Sequence, residues 1–465
     1  MTDRPLQVGD VVEVDVESVA HGGHCVARYG PDRVVLFVRH TLPGERVRAQ
    51  ITELGSGGRF LRADAIEILT ASADRVEPPC PFSGPGRCGG CDWQHVSVEA
   101  QRRLKAAVVA EQLARLAGLD PESDPDSEVA LTCDPVPGDE EGLRWRTRVE
   151  FAVSREGQVG LRAHRSHEVI PLTDCPIAHE GVIGTGVLES HPPAGVVALD
   201  VVAPSRGEPV VVPLAPGDQG REGSGRGGDN THGRDGRGRG RGDRRGRDRG
   251  GRGAASRRGT RHTPRPVGHV PEVTEQVGQH EFTLSARGFW QVHPGAATTF
   301  TEQVLAWLDP RPGERALDLY SGVGLFAVPL AEAVGPTGSV LAVEADRAAT
   351  QAAAHHLATY PWARAEARPT LDALRDLVDA GERADVIVLD PPRSGAGREV
   401  MELIARLGPR AVVYVACDPA ALARDLRTAQ ESGMALAQLR AFDAFPMTHH
   451  VECVALLVRE VSEQG

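Results

Sequence analysis

Two kinds of thiol stand out. In YVACDPAALARDL (residues 414–426) Cys417 follows an apolar run and precedes a helical one, which puts it where a strand ends and a helix begins. The free N–H groups and dipole of a helix N-terminus favour a thiolate, so the position suits a nucleophile. An arbitrary cysteine is more often a packed core residue, and only the neighbourhood separates the two readings. The second kind is a cluster. PPCPFSGPGRCGGCDWQH spaces Cys80-x7-Cys88-x2-Cys91, and Cys175 in LTDCPIAH offers a distant fourth ligand. Three close thiols with a fourth far along the chain suit zinc or a [4Fe–4S] cluster, and spacing alone does not distinguish them. Cys25, Cys133 and Cys453 have no such partners and read as packing residues.

A third constellation reads as a cofactor site. ALDLYSGVGLFAVPLA is an apolar strand, a tight turn at Gly322 and Gly324, and the start of a helix. Such glycines let the backbone approach a ligand at the carboxyl edge of the first strand, where open α/β sheets bind cofactors. The second strand ends in Glu344, placed to accept hydrogen bonds from two ribose hydroxyls, and the next ends in Asp390. Dinucleotide enzymes usually carry a third glycine in this turn, built to seat a pyrophosphate on a helix N-terminus. That glycine is missing here, so S-adenosylmethionine, which has no phosphate, fits better.

The elements that must hold these residues follow from periodicity. From Val8 to Ile68 apolar and polar positions alternate between glycine-rich turns, which predicts short antiparallel strands closed into a small OB-like β-barrel over residues 1–70. Residues 71–204 predict a mixed α+β region that carries the cysteine cluster, with a helix over Val98–Gly118. Residues 205–268, rich in Gly, Arg, Asp and Ser, predict a disordered insert, since so polar a composition buries too little surface to offset its ordering entropy. From 269 to 465 strand-like and helical runs alternate, as in a doubly wound, Rossmann-like parallel sheet. The expected fold class is therefore multidomain α/β.

Composition narrows the setting. No basic stretch followed by an apolar run opens the chain, and no window of 18 residues is wholly apolar, so a cytoplasmic protein that does not span a membrane is expected. Eight cysteines in a reducing compartment point to metal binding or chemistry and away from disulfides. The net charge of −12 gives no support to a nucleic-acid partner, but it hides an island of 14 arginines against 5 acidic residues between Arg221 and Arg261. Arg-Gly repeats can bind RNA phosphates without sequence preference; a solvated linker is the plainer alternative.

Three motifs in this order, LDPPRSGAG, YVACDPAALARDL and DAFPMTHHVECVALL, behind DLYSGVGLF, resemble the uracil-5 RNA methyltransferase family over nearly the whole chain. The resemblance implies a class I methyltransferase domain, an N-terminal TRAM barrel, an RNA substrate, S-adenosylmethionine and a [4Fe–4S] cluster. It also implies Cys417 as nucleophile, Glu452 as base, and Gln291, Tyr320, Glu344 and Asp390 around the cofactor; a monomer is expected. The usual F-x-Q-x-N stretch reads Phe289-Trp290-Gln291-Val292-His293, so His293 replaces an asparagine. Carbon-5 of uracil is a weak nucleophile until a thiolate adds at carbon-6, which explains why the chemistry wants both a thiol and a base. Amine methylation of adenine typically places an aromatic after Asp-Pro-Pro, where this chain has Arg393. An iron–sulfur RNA-binding sensor, or an inactive RNA-binding adaptor, would leave Cys417 and Glu452 dispensable. Whether the target is ribosomal or transfer RNA is not legible.

Overall fold

The computed structural model describes residues 6–55, 59–119, 131–217 and 263–459. The first five strands, β1 (Val11–Ala20), β2 (His24–Tyr29), β3 (Val34–Arg39), β4 (Arg46–Leu54) and β5 (Phe60–Thr70), close into a barrel in the order β1-β2-β3-β5-β4. Strict alternation along β1 and β4 turns Val12, Val14, Val47, Ala49 and Ile51 inward, and closure leaves no unpaired edge.

After the cysteine-bearing loop, α1 (Val98–Gln112) packs on the C-terminal domain, and β6 (Cys133–Pro135) follows. A second sheet has the order β12-β11-β10-β7-β8-β9, built from β7 (Arg148–Val153), β8 (Val159–Arg162), β9 (Val169–Pro171), β10 (Ala198–Val202), β11 (Val210–Ala215) and β12 (Arg265–Pro266). A short helix, α2 (Glu180–Ile183), lies between β9 and β10, and β13 (Glu272–Val277) and β14 (His280–Ser285) form a hairpin. The expected disordered insert is thus ordered at both edges. Val210–Ala215 is a run of valines and leucine that pairs with β10, and Ala215 faces Arg265 across the β11–β12 ladder. The arginine-rich stretch itself, 218–262, lies outside the described residues.

The C-terminal unit alternates helix and strand: α3 (Ala296–Leu308), β15 (Arg315–Leu319), α4 (Ala327–Val334), β16 (Ser339–Glu344), α5 (Arg347–His356), β17 (Ala363–Ala367), α6 (Thr370–Asp379), β18 (Val386–Leu389), α7 (Arg398–Leu407), β19 (Ala411–Ala416), α8 (Pro419–Glu431), β20 (Met434–Asp443) and β21 (Glu452–Arg459). The sheet order is β17-β16-β15-β18-β19-β21-β20-β6, parallel through β19 and antiparallel at β21. Every residue of β18 and β19 is buried, because helices cover both faces. Phe300 and Leu330 belong to the core on one face, Ile404 and Leu422 to that on the other. The edge strand β6 comes from before residue 269, so the C-terminal sheet draws on the central segment as well.

Candidate active site

The glycine turn lies where the sheet order reverses, between β15 and β18. Tyr320, Gly322 and Gly324 all have positive φ, at 61°, 54° and 91°, so the chain leaves β15 through a left-handed bend that costs Tyr320 backbone strain. Glu344 anchors the bend: one carboxylate oxygen accepts the Gly322 N–H (3.1 Å) and the other the Asp346 N–H (2.7 Å). His356, unnoticed in the sequence, ties the turn to β14. Its Nδ1 lies 2.8 Å from the Val323 carbonyl, and its Nε2 accepts the Thr283 N–H (2.9 Å). Only the tautomer protonated at Nδ1 satisfies both contacts, consistent with a ring whose pKa burial lowers. Asp318 is fully buried and neither carboxylate oxygen has a hydrogen bond of good geometry. Burial, with Asp390 and Glu344 adding, holds it well above the usual carboxylate range.

Cys417 follows β19 and Glu452 opens β21. Ala416 pairs with Cys453 in the antiparallel ladder, so one step further Cys417 and Glu452 face each other across adjacent strands. Glu452 is 3% exposed, not the ordinary surface glutamate its letter suggests. Burial first and Asp390 next hold it well above the carboxylate range, with Arg393 opposing. Burial likewise brings Asp390 to about 7. The expectation that a helix N-terminus lowers the Cys417 thiol does not hold: burial, then Glu452 and Asp390, push it up to about 12 against Arg393. Asp418 caps the N-terminus of α8, its Oδ1 accepting the Ala421 N–H (2.8 Å).

The loop after Asp390 is held by Asp425, another residue whose role the sequence did not single out. Its carboxylate accepts the N–H groups of Ala396 (2.7 Å) and Gly397 (3.2 Å) and the Tyr414 hydroxyl (2.7 Å). Gln291 is buried. His293 is built into a wall, stacked on Trp145 at 6.0 Å with Nε2 3.6 Å from Asp139. Phe289, two residues before Gln291, is 74% exposed, an open aromatic face on which a base can stack.

The structure gathers Cys80, Cys88, Cys91 and Cys175 around one pocket walled by Leu161, Leu172 and Ile177. The Gly90 N–H donates to Cys88 Sγ (3.4 Å) and the Gln94 amide to Cys91 Sγ (3.3 Å), the kind of donor that supports sulfur ligands. Burial pushes Cys175 up to about 11 and Cys91 further. Among the described residues no three His, Cys, Asp or Glu side chains form a metal-holding set, so the thiols converge without closing to ligand geometry.

Sheet order, glycine turn and acidic strand ends together define a class I S-adenosylmethionine-dependent methyltransferase fused to a small barrel. A family model for tRNA (uracil-5-)-methyltransferase matches residues 285–460, and one for the TRAM domain matches residues 5–66. An RNA methyltransferase of Streptomyces coelicolor is 47% identical over 97% of this chain and 93% of its own. The 23S rRNA (uracil(1939)-C(5))-methyltransferase RlmD of Pseudomonas putida is 32% identical over 97% and 94%. The crystal structure of Pyrococcus abyssi tRNA (uracil-54, C5)-methyltransferase in complex with S-adenosyl-L-homocysteine has a TM-score of 0.62 at 18% identity, covering 96% of this chain and 100% of that one, so the fold is shared. The chain belongs to the RNA uracil-5 methyltransferase family and is a TRAM-bearing, S-adenosylmethionine-dependent RNA (uracil-5-)-methyltransferase. No helix among the described residues is long and apolar enough to cross a membrane.

Proposed function

We propose that this enzyme makes 5-methyluridine in a structured cytoplasmic RNA through a covalent adduct between Cys417 and carbon-6 of the target uracil. The observation that carries the reading is the strand register that sets Cys417 opposite Glu452, beside Asp390. The thiolate forms a bond to carbon-6 and turns the ring into an enolate with charge at carbon-5. S-adenosylmethionine, when bound, supplies an electrophilic methyl group. Gln291, Tyr320, Glu344 and Asp390 are the residues assigned to hold it. Once carbon-5 is methylated, Glu452 takes the proton that remains there. The electron pair of that C–H bond re-forms the C5–C6 double bond and expels the Cys417 thiolate. A base with a raised pKa, kept from water, suits this role.

Cys80, Cys88, Cys91 and Cys175 are assigned to a [4Fe–4S] cluster, which the reaction does not need for electron transfer and which is therefore structural. Identity to a ribosomal RNA enzyme favours ribosomal over transfer RNA as target. Two experiments test the reading. Deleting the gene should remove one 5-methyluridine from total RNA, and mapping it names the substrate. With RNA from that strain, Cys417→Ala should yield neither product nor adduct. Glu452→Gln should accumulate a denaturation-resistant RNA–protein band that carries the cofactor's methyl label and vanishes when Cys417 is also replaced. Wild-type turnover by either variant would sink the corresponding assignment.

A further inference from the structure

The turn between β1 and β2 reaches past the barrel to both arms of the catalytic site. His21 Nε2 lies 3.3 Å from Asp418 Oδ2, while the other oxygen of Asp418 caps α8 immediately after Cys417. Two residues on, the Gly23 carbonyl accepts the Trp93 indole N–H (3.3 Å), and a Cβ at Gly23 would stand 2.9 Å from His449 Cβ and Nδ1. With φ at +81°, only glycine fits this approach. His449 lies three residues before Glu452, so one turn touches the segment that carries the nucleophile and the one that carries the base. The groups facing His21 are Asp418, Glu111 of α1 and Arg424 of α8; Asp418 dominates, and the imidazole is raised above its ordinary value although burial opposes this.

We infer that His21 is a positioning residue for methyl transfer: through Asp418 it fixes the end of β19, so that the Cys417 thiol stands in its reactive place only while the barrel is docked. The inference rests on Cys417 as the nucleophile. It makes the barrel part of the active site's geometry and not merely an RNA-binding appendage.

The test is single-turnover methylation by the full-length, anaerobically purified enzyme, with methyl-labelled S-adenosylmethionine and total RNA from the deletion strain. His21→Ala should lower the maximal rate about tenfold, the scale of a small misplacement of a reacting group, with the KM for S-adenosylmethionine unchanged. His21→Gln keeps a donor at the same position and should restore most of the rate. Because glutamine cannot titrate, the wild-type advantage over it should be largest at acid pH and fade as pH rises through the histidine pKa. In an Asp418→Asn background, which keeps the helix cap, His21→Ala should cost little more, since the two residues act through one contact. His21→Ala at the wild-type rate, equal slowing by Ala and Gln, or full additivity with Asp418→Asn would overturn the inference. Cys417→Ala in the same assay separates the failures: methylation without the thiol removes the nucleophile reading, whereas the His21–Asp418 coupling is read from variants that keep Cys417.

Discussion

Glu452 and Asp390 share a pocket in which two negative charges are costly, and each favours the neutral form. A carboxylate raised in the folded state stabilises the fold fully only below its unfolded pKa, about 3.9 for aspartate, and loses that contribution as pH rises through the folded value. For Asp390 the window therefore closes at about 7. Asp390→Asn should raise the melting temperature of the ligand-free enzyme at pH 8, and the gain should vanish near pH 4. The same substitution removes a charge that raises Glu452, so at saturating S-adenosylmethionine the acid limb of the rate profile should move to lower pH. A melting temperature at pH 8 equal to or below that of the wild type would show that Asp390 is not strained in this way. On the role proposed for it, Cys417 has the opposite need: burial and two neighbouring carboxylates push its thiol up to about 12, so the proposal carries ionisation of the thiol together with uracil binding.

Elements place these residues through buried polar contacts at their ends. The loop 391–397 carries Arg393 toward Glu452 and Cys417, and its return to α7 depends on Asp425 of α8. Asp425→Ala would strand the Gly397 N–H and the Tyr414 hydroxyl proton and leave the Ala396 N–H only its 3.1 Å contact with the Tyr414 oxygen, a loss on the order of 2–4 kcal/mol. Tyr414→Phe removes one donor and leaves the carboxylate its two amides, about 1 kcal/mol. Denaturant unfolding should rank wild type, Tyr414→Phe and Asp425→Ala in that order. Hydrogen exchange should speed at Gly397 in Asp425→Ala alone, since the Ala396 N–H also donates to the Tyr414 oxygen. Equal stability of Asp425→Ala and wild type would show that the carboxylate is not what holds the loop. A second buried contact, Lys105 with Asp443, ties α1 to the end of β20 and thereby joins the central segment to the catalytic sheet.

At the scale of the whole molecule, the cysteine pocket joins the loop before α1 to the segment after β9. On the assignment made here, protein purified without oxygen should be brown and hold close to four irons, and Cys175→Ser should lose the colour and the iron together. Stoichiometric zinc without iron would replace the cluster by a zinc site. The ladder pairing Ala215 with Arg265 brings the chain back to its starting point after residue 217, so removing 218–262 and joining the ends by a short turn keeps the second sheet intact. That deletion should leave the melting temperature unchanged or slightly higher, the shorter loop being easier to close. If the arginines contact RNA phosphates, the slope of affinity against salt should flatten; an unchanged slope would make the stretch a linker.

Local pattern was enough to determine much of this protein. Alternation in VVEVDVESV and RVRAQITEL specified barrel strands, the glycine turn after ALDLY marked the carboxyl edge of β15, and three motifs in order specified the family, because each signal lies within a stretch of fifteen residues or fewer. The valine run at 210–215 was equally legible and was obscured by the polar stretch that follows it. Other features exist only once the chain is folded. That Glu452 is buried, and that it faces Cys417, depends on β21 running antiparallel to β19, a register no local pattern encodes. The sign of the Cys417 shift depends on burial beside two carboxylates. The reach of His21 to that same aspartate joins opposite ends of the chain. Charge and burial act through space, and the distances that weigh them are properties of the tertiary fold.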